Sequence, residues 1–345
     1  MFYFLHISKC AGSTFVELAG RNTTPFRPNA NGNPLNPLTG KRIPIWHWNS
    51  AEQQYLLSSP ICGLIANENN LGHHVEFYER VVYVTILRDP IDRLFSYYQF
   101  NYGRPDKDQP LEERGRKFAK FLKNKTGTEW RKNSLVTALT YPSRKKVTSS
   151  RLQLAKKRLA QFDHVFIMDN LAEQVSVLSQ YGWAHLGVAW RKASQPGETA
   201  SRWSAAREAL ARYPKVLERL MAQNEEDLEL YAFARELAEQ CKSAPPRLER
   251  LAAPSTRVMP ESNHFEFLIF CAYETFLKKD TAHCLKLLRS AAEQPAAKPV
   301  KPGSAEDFIA FALDRFAAPE RVEKERVARS QLRAARLTAP ADFKR

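Results

Sequence analysis

Four short apolar runs, each bounded by polar turns, constrain the fold of this chain more than any other feature. They are MFYFLHI (1–7), ICGLIA (61–66), VVYVTIL (81–87) and HVFIMD (164–169). Runs rich in β-branched and aromatic residues are typical of strands buried in a parallel sheet, and helix-like patterns follow the first and third. The repeated order of strand and helix predicts an α/β fold with a doubly wound parallel sheet.

The remainder of the chain predicts a long excursion and a helical C-terminal extension. Residues 27–45 are rich in Pro, Asn and Gly, and such a loop is often a lid over a site. Residues 199–242 have a helical pattern, and a Pro-rich stretch then marks a boundary near residue 245. We therefore predict a domain over 1–244, followed by a Pro-rich linker and helical extension over 245–345 that acts as a cap or an oligomerisation element.

Composition argues for a protein without membrane spans, disulfides or metal. No apolar run approaches the about 20 residues that a membrane helix needs. The cysteines are odd in number, scattered and never in CxxC spacing, which predicts reduced thiols in the cytoplasm and no zinc site. They are Cys10, Cys62, Cys241, Cys271 and Cys284.

Positive charge is concentrated in one block. The chain carries 52 Lys and Arg against 37 Asp and Glu, a formal charge of +15. The segment from Arg114 to Arg158 is rich in Lys and Arg and contains a single acidic residue, Glu129. Such a block indicates an anionic ligand, which could be a nucleotide, an acidic glycan, nucleic acid or a phospholipid surface. The alternative is a solvated helical face.

The segment that follows the first strand, SKCAGSTF (8–15), has the composition of an anion-binding turn. Unpaired amides at a helix N-terminus favour anions, Gly12 permits close approach, and Lys9 adds a positive charge. Ser13 and Thr14 supply hydroxyl donors. Cys10 could have a lowered pKa beside Lys9, or could be a small residue that fits.

Three well-known phosphate loops do not match this turn. In a Walker A loop the Lys follows the glycines, whereas Lys9 precedes Gly12. A dinucleotide fingerprint has three spaced glycines. A cysteine phosphatase has an Arg about six residues after its Cys, where this chain has Val16.

A second anion motif, LRDPIDRLFSYY (87–98), follows the third strand. Asp89 is placed to cap a helix whose first residue is Pro90, so Arg88 lies at the carboxyl end of the strand. Arg93 and Ser96 share a helix face. Two anion sites at two strand ends suit a ligand with two anionic groups.

As a pair, these motifs resemble those of sulfotransferases that use 3′-phosphoadenosine 5′-phosphosulfate (PAPS). HISKCAGSTF resembles their 5′-phosphosulfate loop and LRDPIDRLFSYY their 3′-phosphate motif, closest to the heparan sulfate 2-O- and 6-O-sulfotransferases and their bacterial relatives. NSLVTAL (133–139), the run 162–183 and NEEDLELYAFA (224–234) follow the same family order. The resemblance covers about residues 1–240.

The resemblance implies a P-loop-like sulfotransferase fold and specific donor contacts. The loop formed by Lys9, Cys10, Ala11, Gly12, Ser13 and Thr14 would hold the phosphosulfate, and Arg88 with Ser96 would hold the 3′-phosphate. Lys9 would stabilise charge on the bridging oxygen, and no metal would take part. PAPS is the only co-substrate implied.

The general base departs from the family pattern. Related glycan enzymes commonly have a His about twenty residues before the Arg of the second motif, and Glu68 occupies that position here. His73 and His74 lie closer to Arg88 and are the alternatives. Glu68 follows the second strand directly, so we expect it to be the base, unless it only caps a turn.

These observations predict a cytoplasmic, basic sulfotransferase that acts on a hydroxyl group, most simply of a carbohydrate or another anionic molecule. No nucleic acid partner and no membrane span are expected, and a homo-oligomer could form through the C-terminal helices. The alternatives are a non-catalytic binding protein for anionic glycan or nucleic acid, and a nucleotide-dependent kinase.

Overall fold

The structure, a computed structural model, describes most of the chain. It covers residues 1–23, 28–29, 31–43, 45, 48–68, 78, 81–102, 109–123, 132–140, 147–188, 208, 210–241, 258–297, 300 and 303–318. The chain divides into two compact units: 1–25, 30–32 and 57–255 form the first, and 26–29, 33–56 and 256–345 the second. The expected boundary near residue 245 falls outside the described ranges, so the domain limits 1–244 and 245–345 stay a prediction.

The first unit is built on a parallel sheet of four strands, as the apolar runs predicted. The strands are β1 (Phe2–His6), β2 (Leu64–Glu68), β3 (Val82–Leu87) and β4 (His164–Ile167). Their order in the sheet is β2-β1-β3-β4, and every pairing is parallel. All residues of β1, β3 and β4 are buried, which explains why these strands read as continuous apolar runs.

Sheet order creates a topological switch point between β1 and β3. The chain passes from β1 to β2 on one side and then crosses to β3 on the other. In open α/β sheets, ligands bind in the crevice at the carboxyl ends of the strands that flank such a point. The two anion motifs follow these two strands.

Helices of the first unit flank the sheet, as predicted for an α/β fold. They are α1 (Gly12–Asn22), α3 (Pro90–Asn101), α4 (Leu111–Lys123), α5 (Ser134–Thr140), α6 (Ser149–Leu159), α7 (Leu171–Gln174), α8 (Pro214–Gln223) and α9 (Glu225–Cys241). Helices α3 to α6 all lie between β3 and β4 in the chain. Short 3₁₀ segments flank α7, at Met168–Asn170 and Val175–Tyr181. Helix α2 (Ser50–Leu57) lies almost wholly in the second unit.

Aromatic side chains fasten α1 to the sheet. The rings of Phe4 on β1 and Phe15 on α1 lie 4.5 Å apart, and Trp183 packs against Phe15 at 5.9 Å. A second cluster joins α3, α4 and α8 through residues such as Phe95 and Phe118. The first contact holds the start of α1 against the sheet, and the second packs α3 against its neighbouring helices.

The second unit is helical, as expected for the C-terminal extension. It contains α10 (Phe265–Leu277), α11 (Thr281–Ala292), a 3₁₀ turn (Pro295–Ala297) and α12 (Ala305–Ala317). Helix α10 is buried on nearly all sides and forms the core. Trp48 packs in this core, 5.2 Å from the ring of Phe267. Trp46 and His47 lie outside the described residues.

Two further observations concern the described part of the chain. Among these residues, no helix combines the length and the apolar character needed to cross a bilayer. The four cysteines whose side chains are described are free and buried: Cys10, Cys62, Cys271 and Cys284.

Candidate active site

The two anion motifs meet at the switch point. Lys9 lies in the loop after β1, and Arg88 directly follows β3. The Nη1 atom of Arg88 lies 3.5 Å from the carbonyl oxygen of Lys9, so side chain and loop are in contact. The motifs therefore line one crevice.

The backbone of the first loop is strained. Lys9 and Ala11 have φ angles of 69° and 60°, in the left-handed region that non-glycine residues avoid at a cost of about 1–2 kcal/mol each. Ala11 is the N-cap of α1 and provides no side-chain cap. Because no acidic residue lies in the first turn either, the positive end of α1 is open to an anion.

Only glycine fits at position 12, because the ring of His6 occupies the space that a Cβ atom would need. A Cβ atom at this position would lie 1.9 Å from Cδ2 and 2.0 Å from Nε2 of His6. The His6 ring is buried, stacks on Phe4 and shares its Nδ1 hydrogen with the Asn31 carbonyl oxygen at 2.9 Å. His6 is therefore a hydrogen-bonded core histidine, and its ring rests on the first residue of α1.

Lys9 combines a fixed backbone with a partly exposed side chain. Its ammonium lies 4.0 Å from the centre of the Phe100 ring, near the end of α3. Such a cation–π contact contributes about 0.5–1 kcal/mol at an exposed site. Phe100 is 39% exposed, so this contact holds the ammonium at the surface of the crevice.

Cys10 is not activated. Its side chain is 1% exposed, and burial raises the pKa of the thiol to about 11 although Arg93 and Arg88 favour the thiolate. The suggestion of a lowered pKa beside Lys9 was wrong, because desolvation outweighs the nearby positive charges. Cys10 is the small residue that fits.

The second motif forms as expected. Asp89 is the N-cap of α3, accepts hydrogen bonds from the amides of Ile91 and Asp92 at 2.9 and 3.1 Å, and precedes Pro90 at the first helical position. Arg88 is 6% exposed, and burial lowers its pKa to about 10, so it remains a cation at neutral pH. Ser96 lies half-buried on α3.

Behind the second motif, the buried carboxylate of Asp227 links the segments NSLVTAL (133–139) and NEEDLELYAFA (224–234). Asp227 on α9 is fully buried and accepts hydrogen bonds from the amides of Leu135 and Val136, at 2.9 and 2.8 Å. It thereby caps α5, the helix of NSLVTAL. Arg93 is also buried, and its charge favours the ionised forms of both Asp227 and Cys10. Arg93 therefore points into this interior rather than only toward the helix face it shares with Ser96.

Glu68 ends β2, one strand away from the anion loop. It stands in register with His6 of β1, and its Oε2 atom accepts a hydrogen bond of 2.9 Å from the side-chain amide of Asn31. The carboxylate is half-buried. His73 and His74, the alternative bases, lie outside the described residues.

Comparison with known proteins decides the family. A model of the sulfotransferase family matches residues 1–234, which is well over half of the chain. The chain belongs to the sulfotransferase family. Neither the curated proteins nor the solved structures that were searched gave a match.

As a sulfotransferase, the protein moves a sulfuryl group from a donor to an acceptor, and its fold is the predicted α/β fold with a parallel sheet. The family match spans both anion motifs and Glu68. Within the described ranges, no group of three or more His, Cys, Asp or Glu side chains could hold a metal ion.

Part of the basic block of the sulfotransferase stabilises the C-terminal end of α5. On α6, Arg158 donates to the Leu139 carbonyl oxygen at 2.6 Å and Arg151 to the Thr140 hydroxyl at 2.8 Å, both at the C-terminal end of α5. Cations are favoured there by the helix dipole. Within the described part of the block, the exposed basic residues are Arg116, Lys120, Lys123, Lys132 and Lys157. Lys145 and Lys146 are outside it.

Three residues of this site escaped the sequence analysis. In the sequence, Asn31 lies in the turn-rich excursion, Phe100 lies just after the second anion motif, and Asp227 lies in the segment NEEDLELYAFA. Each acts through a partner far away in the chain, and no local pattern reports such a pairing. The Asn-Gly pair at 31–32 was the one available signal, since it marks a tight turn.

Proposed function

We propose that this sulfotransferase transfers the sulfuryl group of PAPS to a hydroxyl group of a carbohydrate. The observation that carries the proposal is the meeting of two anion motifs at adjacent strand ends, where Arg88 contacts the carbonyl of Lys9. PAPS has its phosphosulfate and its 3′-phosphate on one ribose, and so needs two neighbouring anion sites.

The loop after β1 has the chemistry of the phosphosulfate site. The start of α1 lacks a side-chain cap, and the left-handed residues Lys9 and Ala11 shape a concave backbone. Ser13 and Thr14 bring hydroxyl donors to the first turn. Cys10 contributes its backbone, and its buried thiol does not take part.

A separate source of charge suits the 3′-phosphate. The first amides of α3 are bonded to Asp89, so the helix start itself is occupied there. The guanidinium of Arg88, with the hydroxyl of Ser96, is then the donor set available to a phosphate.

Different residues have different roles in the transfer. Glu68 takes the proton of the acceptor hydroxyl, whose oxygen forms the new bond to sulfur, and His73 or His74 are the alternative bases. The bond between sulfur and the bridging oxygen breaks, and its electron pair stays on the 5′-phosphate of the departing nucleotide. Lys9 and the α1 amides stabilise that charge, which is usually the largest single catalytic contribution.

An acidic carbohydrate fits the surface charge. The exposed cations of α4 and α6 take no part in the contacts that Arg158 and Arg151 make with α5. A polyanionic acceptor would be drawn toward these exposed cations. This attraction would weaken as salt rises. Cytoplasmic localisation belongs to the same proposal and is supported by the thiol state of the described cysteines.

The test of the donor is calorimetric titration with 3′-phosphoadenosine 5′-phosphate, compared with ADP, which lacks the 3′-phosphate. Wild type should bind the first nucleotide much more tightly. Arg88→Ala should weaken its binding by roughly 10–150-fold, the value of a charged hydrogen bond, and should weaken ADP binding much less, because ADP loses only the support that Arg88 gives to the first loop. Arg21→Ala is the matched control, because it removes an exposed arginine at the far end of α1.

Turnover separates the enzyme from a binding protein. Lys9→Ala should abolish sulfuryl transfer from PAPS, whereas Lys286→Ala, which removes an exposed lysine of α11 in the second unit, should leave the transfer intact. If wild type bound both nucleotides equally or not at all, the donor assignment would be wrong. If Lys9→Ala changed neither turnover nor binding, the role of the loop would be refuted.

A further inference from the structure

A short piece of the long excursion is built into the first unit. Gly32 accepts a hydrogen bond from the amide of Ala66 on β2 at 3.1 Å and has a φ of 82°. A Cβ atom at Gly32 would lie 2.6 Å from both Ala66 Cβ and Val16 Cγ2. The backbone is therefore wedged between β2 and α1, and only glycine fits.

This wedge places Asn31 between two strand ends. Its side-chain amide donates to Glu68 Oε2 at 2.9 Å, and its carbonyl oxygen lies 2.9 Å from His6 Nδ1. Glu68 and His6 are register partners on β2 and β1. One residue therefore contacts the candidate base with its side chain and the central strand with its backbone.

The chemistry of these contacts fixes their direction. A carbonyl oxygen only accepts, so His6 carries its hydrogen on Nδ1. A carboxylate also only accepts, so the nitrogen of the Asn31 amide faces Glu68. Because the ring of His6 rests on Gly12, these contacts form a continuous path from the anion loop to Glu68.

We propose that Asn31 is a positioning residue for Glu68, and that His6 holds Asn31 in place. The proposal rests on the proposed function, in which Glu68 is the base. A carboxylate at a strand end can rotate, and a hydrogen bond to one of its oxygens limits that rotation. Since His6 also touches Gly12, base and donor loop share one support.

The first test separates catalysis from donor binding. Asn31→Ala should lower kcat by about 10–100-fold, as expected when a catalytic group is misplaced by about 1 Å. The affinity for 3′-phosphoadenosine 5′-phosphate should stay within about twofold of wild type, because the Asn31 side-chain amide bonds to Glu68, which lies outside the two donor motifs. Asn31→Asp should be slower still, since it sets a second negative charge against Glu68.

Asn29 offers the matched control. It lies two residues earlier in the same excursion, and its side chain accepts a hydrogen bond from the amide of Asn33 at 3.1 Å. Asn29→Asp keeps that acceptor and adds the same charge as Asn31→Asp. It should leave kcat unchanged.

A double-mutant cycle excludes a merely structural role. If Asn31 acts through Glu68, adding Asn31→Ala to Glu68→Gln should cause no further loss of kcat. Equal losses in both backgrounds, or wild-type kcat in Asn31→Ala, would overturn the proposal. If Glu68→Gln kept wild-type turnover, the proposal would fall while sulfuryl transfer stood. Absence of nucleotide binding and turnover in wild type would instead refute the proposed function itself.

Discussion

Strain in the anion loop is concentrated at two residues that are not glycine. Lys9 and Ala11 hold left-handed backbone angles on either side of Cys10. Strain of this kind persists where the surrounding structure enforces it, and it clusters at sites that bind ligands. The contact between Arg88 and the Lys9 carbonyl, together with the seating of His6 on Gly12, supplies that enforcement.

At the same scale, Cys10 yields a prediction about reactivity. With a pKa of about 11, only about one Cys10 thiol in a few thousand is ionised at pH 7.5. Cys10→Ala should therefore keep kcat within about threefold of wild type. In the folded protein, iodoacetamide should label Cys10 far more slowly than in urea, as measured by mass spectrometry of its peptide. Rapid labelling of Cys10 with loss of turnover would contradict this.

Helices α1 and α3 begin in opposite ways at neighbouring strand ends. Helix α3 uses its own Asp89 as a cap, whereas α1 begins at Ala11 without a side-chain cap. A helix start that is already bonded to a carboxylate has less to offer a ligand. The contrast explains why the two motifs, similar in position, are suited to different anions.

The cap of α3 gives a prediction at the scale of the element. Asp89→Ala should lower the free energy of unfolding by about 0.5–2 kcal/mol, because two amides of the first turn lose their acceptor. Asp89→Asn keeps an acceptor oxygen and should lose much less. Urea denaturation of the two variants measures the difference. Equal losses would show that the charge of Asp89, rather than its hydrogen bonds, stabilises the helix.

Much of the fold at this scale could be predicted from the sequence. The strands follow from apolar runs, and the start of α3 follows from Asp89 and Pro90, because both signals are local. The support of Glu68 by Asn31 and the docking of Asp227 on α5 join residues far apart in the chain. Such contacts depend on the three-dimensional path, and a single sequence does not report them.

For the whole molecule, the positions of the basic side chains say more about ligand binding than the net charge does. The chain carries +15, yet Arg158 and Arg151 are committed to α5 and Lys156 is paired with Glu229 at 2.6 Å. The sequence could locate the block but not this division. Spacing along α6 alone does not tell a cation that caps a helix from one that faces solvent.

The stability of the whole protein should depend on the buried Asp227. Burial raises its pKa from 3.8 to about 6, against the amides of α5 and Arg93, which favour the charged form. Between about pH 4 and pH 6 the unfolded chain releases this proton first, so stability falls as the pH rises through that window. The total is roughly 3 kcal/mol.

Asp227→Asn provides the comparison, because it cannot titrate. The free energy of unfolding of wild type minus that of Asp227→Asn, from urea denaturation at pH 4, 5, 6 and 7, should decrease up to about pH 6 and then level off. Other titrating groups cancel in this difference. A difference that grew with pH would mean that the α5 amides and Arg93 outweigh burial.

The sheet order has a consequence for synthesis on the ribosome. Of the four strands in this sheet, β1 is made before its neighbours but lies inside the sheet, and its register partners begin at Leu64 and Val82. Until those residues emerge, the apolar run from Phe2 to His6 has neither neighbour, and the anion loop has no second motif to face. Pairings so distant in the chain make folding slow, and the nascent β1 segment is exposed to aggregation until its partners emerge.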